Sequence, residues 1–317
     1  MADVQYVVMR ANVSAEAGEV ELRPLSARSV VLSLLLGTHP SELPVKDLVR
    51  LVEPFGVGGS TLRAALSRMA AAGDLRRAGA VYGLSDRLLE RRRRQDDAVR
   101  PATRPWDGDW EMAVVTVTGR GPAERAELRA ALTRLRLAEL REGVWLRPAT
   151  LLRPWPDGLS GVVRCFTARP ETPTGAERQG REPGRGQERE PGRGQEREPG
   201  RGQEREPGRE QGREPGRGQE REPGREQGRV QDRELAATLW PLDEWAGTAR
   251  GLLAHIARAE RPADRFTAHA AAVRHLLADP VLPPELLPAD WPGAALRAAY
   301  TAYRRELTEA VHGRTPV

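Results

Sequence analysis

The sequence predicts an α+β chain of several folded parts, and three observations carry that prediction. Apolar residues recur at helical spacing over Ser26–Gly73. The pattern changes to short Val- and Trp-rich runs between Trp110 and Ala168, then returns to helical spacing from Glu234 to Val311. A chain of 317 residues has room for two or three domains. We divide it into a flexible N-terminal tail over 1–25, a helical unit with a small hairpin over 26–98, a ferredoxin-like middle domain over 106–172, a repeat insertion over 173–232 and an α-helical C-terminal domain over 233–312.

Within the first folded part, Ser26 is placed to cap a helix through Leu36, and Gly37 to end it. Pro44–Glu53 reads as a second helix, with Val45, Leu48, Val49 and Val52 on one face, stopped by Pro54 and Gly56. Ser60 then caps a third helix ending at Gly73. Leu75–Leu84 alternates like a hairpin, and Leu88–Asp96 reads as a charged helix whose run Arg91–Arg94 either contacts phosphates or, as we expect, is a solvated face.

The third helix is the segment with chemistry. Leu62, Ala65, Leu66 and Met69 make an apolar stripe at i, i+3, i+4, i+7. The other face offers Ser60, Thr61, Arg63, Ala64, Ser67 and Arg68. Small residues let such a helix lie deep in a DNA major groove, while hydroxyls and guanidinium groups reach bases and phosphates. Thr61, Arg63 and Ala64, in the N-terminal half, are expected to read bases, and Ser67 and Arg68 to touch phosphate. Arg76 and Arg77 stand where a wing would follow the flanking backbone. Hence a winged helix-turn-helix, with Ser60, Thr61, Arg63, Ala64, Ser67, Arg68, Arg76 and Arg77 as its DNA-binding residues.

Charge agrees locally. The whole chain is +5 and nearly all its cations are arginine, Lys46 being the only lysine. A codon bias toward arginine explains that global excess as well as a nucleic-acid partner does. Over Ser26–Arg94, however, twelve Lys or Arg stand against six Asp or Glu, so this unit alone exceeds the charge of the entire chain.

The middle part reads as strand Trp110–Thr118, helix Ala123–Leu137, strand Gly143–Leu146 and strand Gly161–Ala168, an order that fits a ferredoxin-like sandwich. From Arg181, an octad REPGRGQE or REPGREQG then repeats six times. Each copy has two Arg and two Glu and no large apolar residue, so ordering it would cost backbone entropy with no burial to offset it. The C-terminal part reads as a helix over Leu235–Ala257, another over Phe266–Leu277, a packed Pro-rich loop over Asp279–Trp291 and a last helix over Ala294–Val311.

The motifs SARSVVLSLLLG (26–37), LRAALSRMAAAGDLRR (62–77), VYGLS (81–85), WDGDWEMAVV (106–115), RLAELREGVWLRP (136–148) and DPVLPPELLPADWPG (279–293), in this order, resemble the PaaX family of phenylacetic-acid-catabolism repressors. The resemblance covers the chain outside the octads. It implies a winged helix, a middle domain similar to Cas2 and a helical C-terminal domain. It also implies a homodimeric repressor of double-stranded operator DNA, released by an acyl- or aryl-coenzyme A thioester such as phenylacetyl-coenzyme A. The sequence departs from the family pattern in two places, the short hairpin Ala78–Val81 and the octad insertion.

A thioester of that kind needs cations for its phosphates and an apolar slot for its acyl group. Trp145, Arg147, Arg153, Trp240, Trp245, Arg274 and Trp291 have that chemistry, although each also reads as a core tryptophan or a surface arginine. Other classes find less support. The five histidines have no metal-ligand spacing with Cys, Asp or Glu, and no GxSxG, P-loop or GxGxxG occurs, so no catalytic residue, metal or cofactor is expected. A Cas2-like nuclease would need a carboxylate at the end of its first strand, where Thr116–Thr118 stand. The remaining alternative is an interaction protein whose helix-turn-helix only dimerises. One cysteine, no signal peptide and no long apolar run make the cytoplasm the expected compartment.

Overall fold

The computed structural model describes residues 13–16, 19–170 and 223–312. Two short strands, β1 (Val13–Glu16) and β2 (Glu19–Leu22), pair antiparallel ahead of the first helix. Of the tail expected over 1–25, the described part thus carries two paired strands, and residues 1–12 lie outside the described residues. Val20 is 2% exposed and sits in a cluster with Trp245, Ala249, Leu252 and Ala272 from the C-terminal helices.

The first folded unit runs α1 (Ala27–Gly37), β3 (Glu42–Pro44), α2 (Val45–Val52), α3 (Gly59–Ala71), β4 (Leu75–Ala78) and β5 (Val81–Leu84). Its strands form one antiparallel sheet in the order β3-β5-β4. A winged helix-turn-helix has this order of helix, strand, helix, helix and hairpin. Strand β3 went unread in the sequence because three residues, Glu42-Leu43-Pro44, are too few to show alternation. Ser26 caps α1 as expected, its hydroxyl accepting from the Ser29 amide at 3.2 Å. The cap of α3 is not Ser60 but Gly58, and it makes no side-chain cap bond.

The core of this unit is built from Val30, Val31, Leu34, Leu35, Leu48, Val52, Leu62, Leu66 and Met69. Each fully buried aliphatic side chain contributes about 1.5–3 kcal/mol relative to exposure. The core does not close within the unit: Phe266 and Ala270 from the C-terminal region belong to the same cluster, and Phe55 meets Phe266 edge-on at 5.0 Å.

Helix α4 (Asp86–Val99) follows. Its arginine run was expected to face solvent, and the structure divides it. Arg93 and Arg94 are exposed, Arg91 is half-buried, and Arg92 is buried against the Ser41 hydroxyl and, at 3.0 Å, His39 Nδ1.

The middle domain consists of β6 (Trp110–Val115), α5 (Pro122–Arg134), β7 (Ala138–Arg141), β8 (Val144–Pro148) and β9 (Val163–Ala168). The sheet order β7-β8-β6-β9, antiparallel throughout, is the ferredoxin-like order. The crossover between β8 and β9 carries only a single 3-10 turn, Asp157–Leu159, in place of a second helix. Strand β7 was missed because it spans only four residues, of which Ala138 alone is buried.

Both faces of the sheet are covered. Ala113 and Trp145 pack with Leu128 and Leu132 of α5. Trp110 and Leu146 point the other way, against Ala236, Leu242 and Leu282. Ala236 lies in α6 (Pro223–Leu239), which is anchored by a hydrogen bond from Trp110 Nε1 to Asp232 Oδ1 at 3.0 Å. The insertion expected over 173–232 therefore ends earlier, since helix begins at Pro223; the remainder of that expectation, including most of the octads, lies outside the described residues.

The expected helix Leu235–Ala257 is two helices. Trp240-Pro241 separates α6 from α7 (Leu242–Arg258), because the proline cannot donate into a continuous helix. Helices α8 (Pro262–Leu276) and α9 (Gly293–His312) complete the C-terminal domain. Among the described residues, no helix is long and apolar enough to cross a membrane.

Candidate nucleic-acid interface

The face of α3 follows from its sequence period. Leu62, Ala65, Leu66 and Met69 are all buried, while Ser60, Thr61, Arg63, Ala64, Ser67 and Arg68 are all exposed. Helical spacing alone separates the two sets, so burying the stripe obliges the polar face to point outward. Arg63 and Arg68 have no hydrogen-bond or ion-pair partner among the described residues, leaving both guanidinium groups open to an external anion. The small side chains between them keep that face low.

The chain then turns at Gly73 (φ 72°), which places Asp74 under α1 and α4. Asp74 is only 3% exposed and accepts from Arg28 at 2.6 Å and from Arg87. This one carboxylate ties the end of α3 to the starts of two other helices, fixing the exposed face of α3 relative to α1 and α4. The sequence carried a signal for it: Asp74 is the single acidic residue in the basic stretch from Leu62 to Arg77.

In the hairpin, Arg77 Nε donates to Gly79 O at 3.0 Å and its guanidinium lies 5.8 Å from the Tyr82 ring centre, which leaves the charge outermost. Arg76 turns back: Nε donates to Leu84 O at 3.2 Å and Nη1 to Asp86 at 3.3 Å. Of the eight residues expected to meet DNA, the structure therefore sets six on one face of α3 and Arg77 on the adjoining hairpin. Arg76 is partly occupied within the chain.

The seven residues singled out for an effector are not gathered into one site. Trp145 is 5% exposed, in the core between the sheet and α5. Arg147 is fully buried, donating to Pro148 O at 3.1 Å, Val281 O at 3.3 Å and Arg136 O at 3.5 Å. Burial lowers its pKa to about 9, still above neutrality, so it remains a cation. Arg153 holds Glu111 through both carboxylate oxygens, at 3.1 and 3.2 Å. Trp240 packs against the cluster that holds Trp110, Leu146 and Leu242, while Trp245 is stacked between His275 and Trp291, each at 4.5 Å. Arg274 lies half-buried on α8. A cavity of about 430 Å³ lies beside the hairpin at Glu42, Arg76, Arg77 and Leu84, and none of the seven lines it.

Glu111 and Asp109 of the middle domain are engaged internally. Glu111 also accepts from Trp155 Nε1 at 3.0 Å, and Asp109 accepts from Arg169 at 2.6 Å. Among the described residues, no group of three or more His, Cys, Asp and Glu side chains is placed to hold a metal ion.

Three models of one family match the chain in order. The PaaX-like protein model matches residues 26–88, the PaaX protein central Cas2-like domain residues 103–176, and the PaaX-like protein C-terminal domain residues 235–313. Among solved structures, the chain is similar to the uncharacterized protein Rv0674 from Mycobacterium tuberculosis. The two are 39% identical, with 91% of this chain and 98% of that one covered and a TM-score of 0.64. No curated protein matches. With all three family domains present and in sequence, the chain belongs to the PaaX-like family.

Proposed function

We propose that this protein is a transcription regulator whose N-terminal unit acts as a winged helix-turn-helix, laying α3 in the major groove of double-stranded operator DNA. The observation that carries the reading is the clean division of α3, with every apolar stripe residue buried and every proposed contact residue exposed. Thr61, Arg63 and Ala64 read base edges; Ser67, Arg68 and Arg77 hold phosphates. Family membership and the local excess of cations support the same reading.

The protein acts as a homodimer, whose two copies of α3 meet half-sites of a pseudo-palindrome about one helical turn apart. It is a repressor, and an acyl- or aryl-coenzyme A thioester releases it by preferring a dimer that cannot span both half-sites. Family membership supports this part. The test is operator binding with and without such thioesters: the proposal expects at least one to weaken binding, and equal affinity with every candidate contradicts it.

A further inference from the structure

Arg87, Arg91 and Arg94 stand at i, i+4 and i+7 on α4, so they share one face, and α4 packs on α8. Arg87 is neutralised by Asp74, which Arg28 also occupies. One carboxylate thus serves two guanidinium groups, and on the following turn Glu90 is held by Arg93. Arg91 is half-buried with no hydrogen-bond or ion-pair partner among the described residues. Burial lowers its pKa, and Arg94, Arg28 and Arg87 add like-charge repulsion. From α8, Arg274 donates Nε to Ala270 O at 2.8 Å, but its Nη2 is buried without an acceptor among the described residues. Burial, followed by the charge of Arg91, brings Arg274 to about 10. Arg134, in the last turn of α5, is lowered by burial and then by Arg94.

Nearby arginines are treated differently. Arg297 holds Asp279 at 2.7 Å and Ala98 O at 3.2 Å; Arg304 holds Asp96. Even fully buried Arg147 has three carbonyls. Arg136 Nη1 is also buried without an acceptor among the described residues, but with the charge of Asp279 near it. Where α4 meets α8, Arg91 and the Nη2 of Arg274 go uncompensated among the described residues. Arginine does not discharge near neutral pH, so their mutual repulsion and desolvation persist until an anion arrives.

We propose that Arg91, Arg94, Arg134 and Arg274 form a binding site for a phosphate-bearing small molecule. Guanidinium forks match phosphate oxygens two at a time, so four of them suit a diphosphate or a pair of phosphates better than a single carboxylate. All four side chains are long, and an anion enters by drawing them from one another onto itself. The backbone of a bound duplex offers the same chemistry, but Arg274 Nη2 lies inside the helix packing, where a stiff duplex cannot follow. The site does not depend on the DNA-reading proposal; it deepens the effector reading above, since a coenzyme A thioester carries such phosphates, and pyrophosphate tests the site apart from any thioester or operator.

The test is titration of the full chain with sodium pyrophosphate, against sodium chloride at matched ionic strength, followed by calorimetry and thermal unfolding. The wild-type chain should show saturable heat and a rise in Tm beyond that in chloride. Arg91→Gln/Arg274→Gln should lose pyrophosphate affinity by at least about ten-fold while melting no lower than wild type in chloride. Arg94→Gln/Arg134→Gln, at exposed positions that leave the fold intact, should weaken it in the same direction. Absence of saturable pyrophosphate binding by the wild-type chain, or unchanged affinity in both double variants, overturns the site. A random-sequence duplex supplies the second arm. If it competes with pyrophosphate and its salt slope shrinks in the variants, the phosphates belong to DNA and the small-molecule site is overturned. If duplex binding is unaffected, the small-molecule site stands.

Discussion

Arg63 and Arg68 are exposed and have no partner among the described residues, whereas Arg76 is tied to Leu84 O and Asp86. The two kinds of arginine should respond differently to truncation. Arg63→Ala/Arg68→Ala should weaken DNA binding by at least about ten-fold and reduce its salt slope by about two, leaving unfolding free energy within about 0.5 kcal/mol of wild type. Loss of fold in that variant would contradict the assignment. Arg147 is the opposite case. Replacing it with Met leaves the carbonyls of Arg136 and Val281 without their donor, and both residues are held at positive φ, 62° and 52°. The cost should be about 3 kcal/mol, read as a shift in the urea midpoint at unchanged slope. At this scale the sequence was legible where a residue's role follows from helical period, as on α3. It was illegible where the role depends on a partner far along the chain. Nothing local to Arg147 shows that Val281 O will be its acceptor, and nothing local to Trp245 shows that Trp291 will stack on it.

Among the elements, α8 carries a buried histidine, His269, and a half-buried one, His275, on a largely apolar face. His269 accepts no charge easily: burial lowers its pKa, its Nδ1 lies 2.7 Å from Arg265 O and its ring stacks on Tyr303. Burial likewise lowers His275, whose Nε2 lies 2.9 Å from Trp245 O. The unfolded chain takes up both protons near pH 6.5, the folded chain only at lower pH. The unfolded state therefore binds more protons as pH falls below about 6.5, and stability falls with it. The urea midpoint should drop between pH 7.5 and 5.5, before carboxylates titrate, and His275→Gln should flatten that drop; a midpoint constant over this range would contradict the burial of these rings. Element boundaries were predicted well where Gly or Pro marks them, as at Gly37 and Gly73. They were misread at Trp240-Pro241, where apolar periodicity runs through the break, and at Ser60, where a good capping residue stands two places beyond the actual cap.

Across the molecule, the N-terminal unit does not close its own core. Phe266 and Ala270 complete it, and Val20 ahead of the first helix is buried among the C-terminal helices. An N-terminal unit that shares its core with the C-terminal domain is mechanically linked to whatever binds there. Val20→Ala should lower stability by about 2 kcal/mol although it lies more than two hundred residues from Trp245 in the chain. That link was invisible in the sequence, where residues 1–25 lack the length and period of a packed element. The mixed α+β character was legible, because helical period gives way to short strand-like runs between Trp110 and Ala168 and then returns.

The central claim is that the exposed face of α3 reads a specific DNA sequence, and the most direct test is a salt titration of binding to the protein's own upstream DNA against random-sequence DNA. The account predicts specific binding tighter by about 10³ or more, with a steep salt dependence that Arg63→Ala/Arg68→Ala relaxes. Weak binding, equal for the two DNAs and unchanged in that variant, would contradict it.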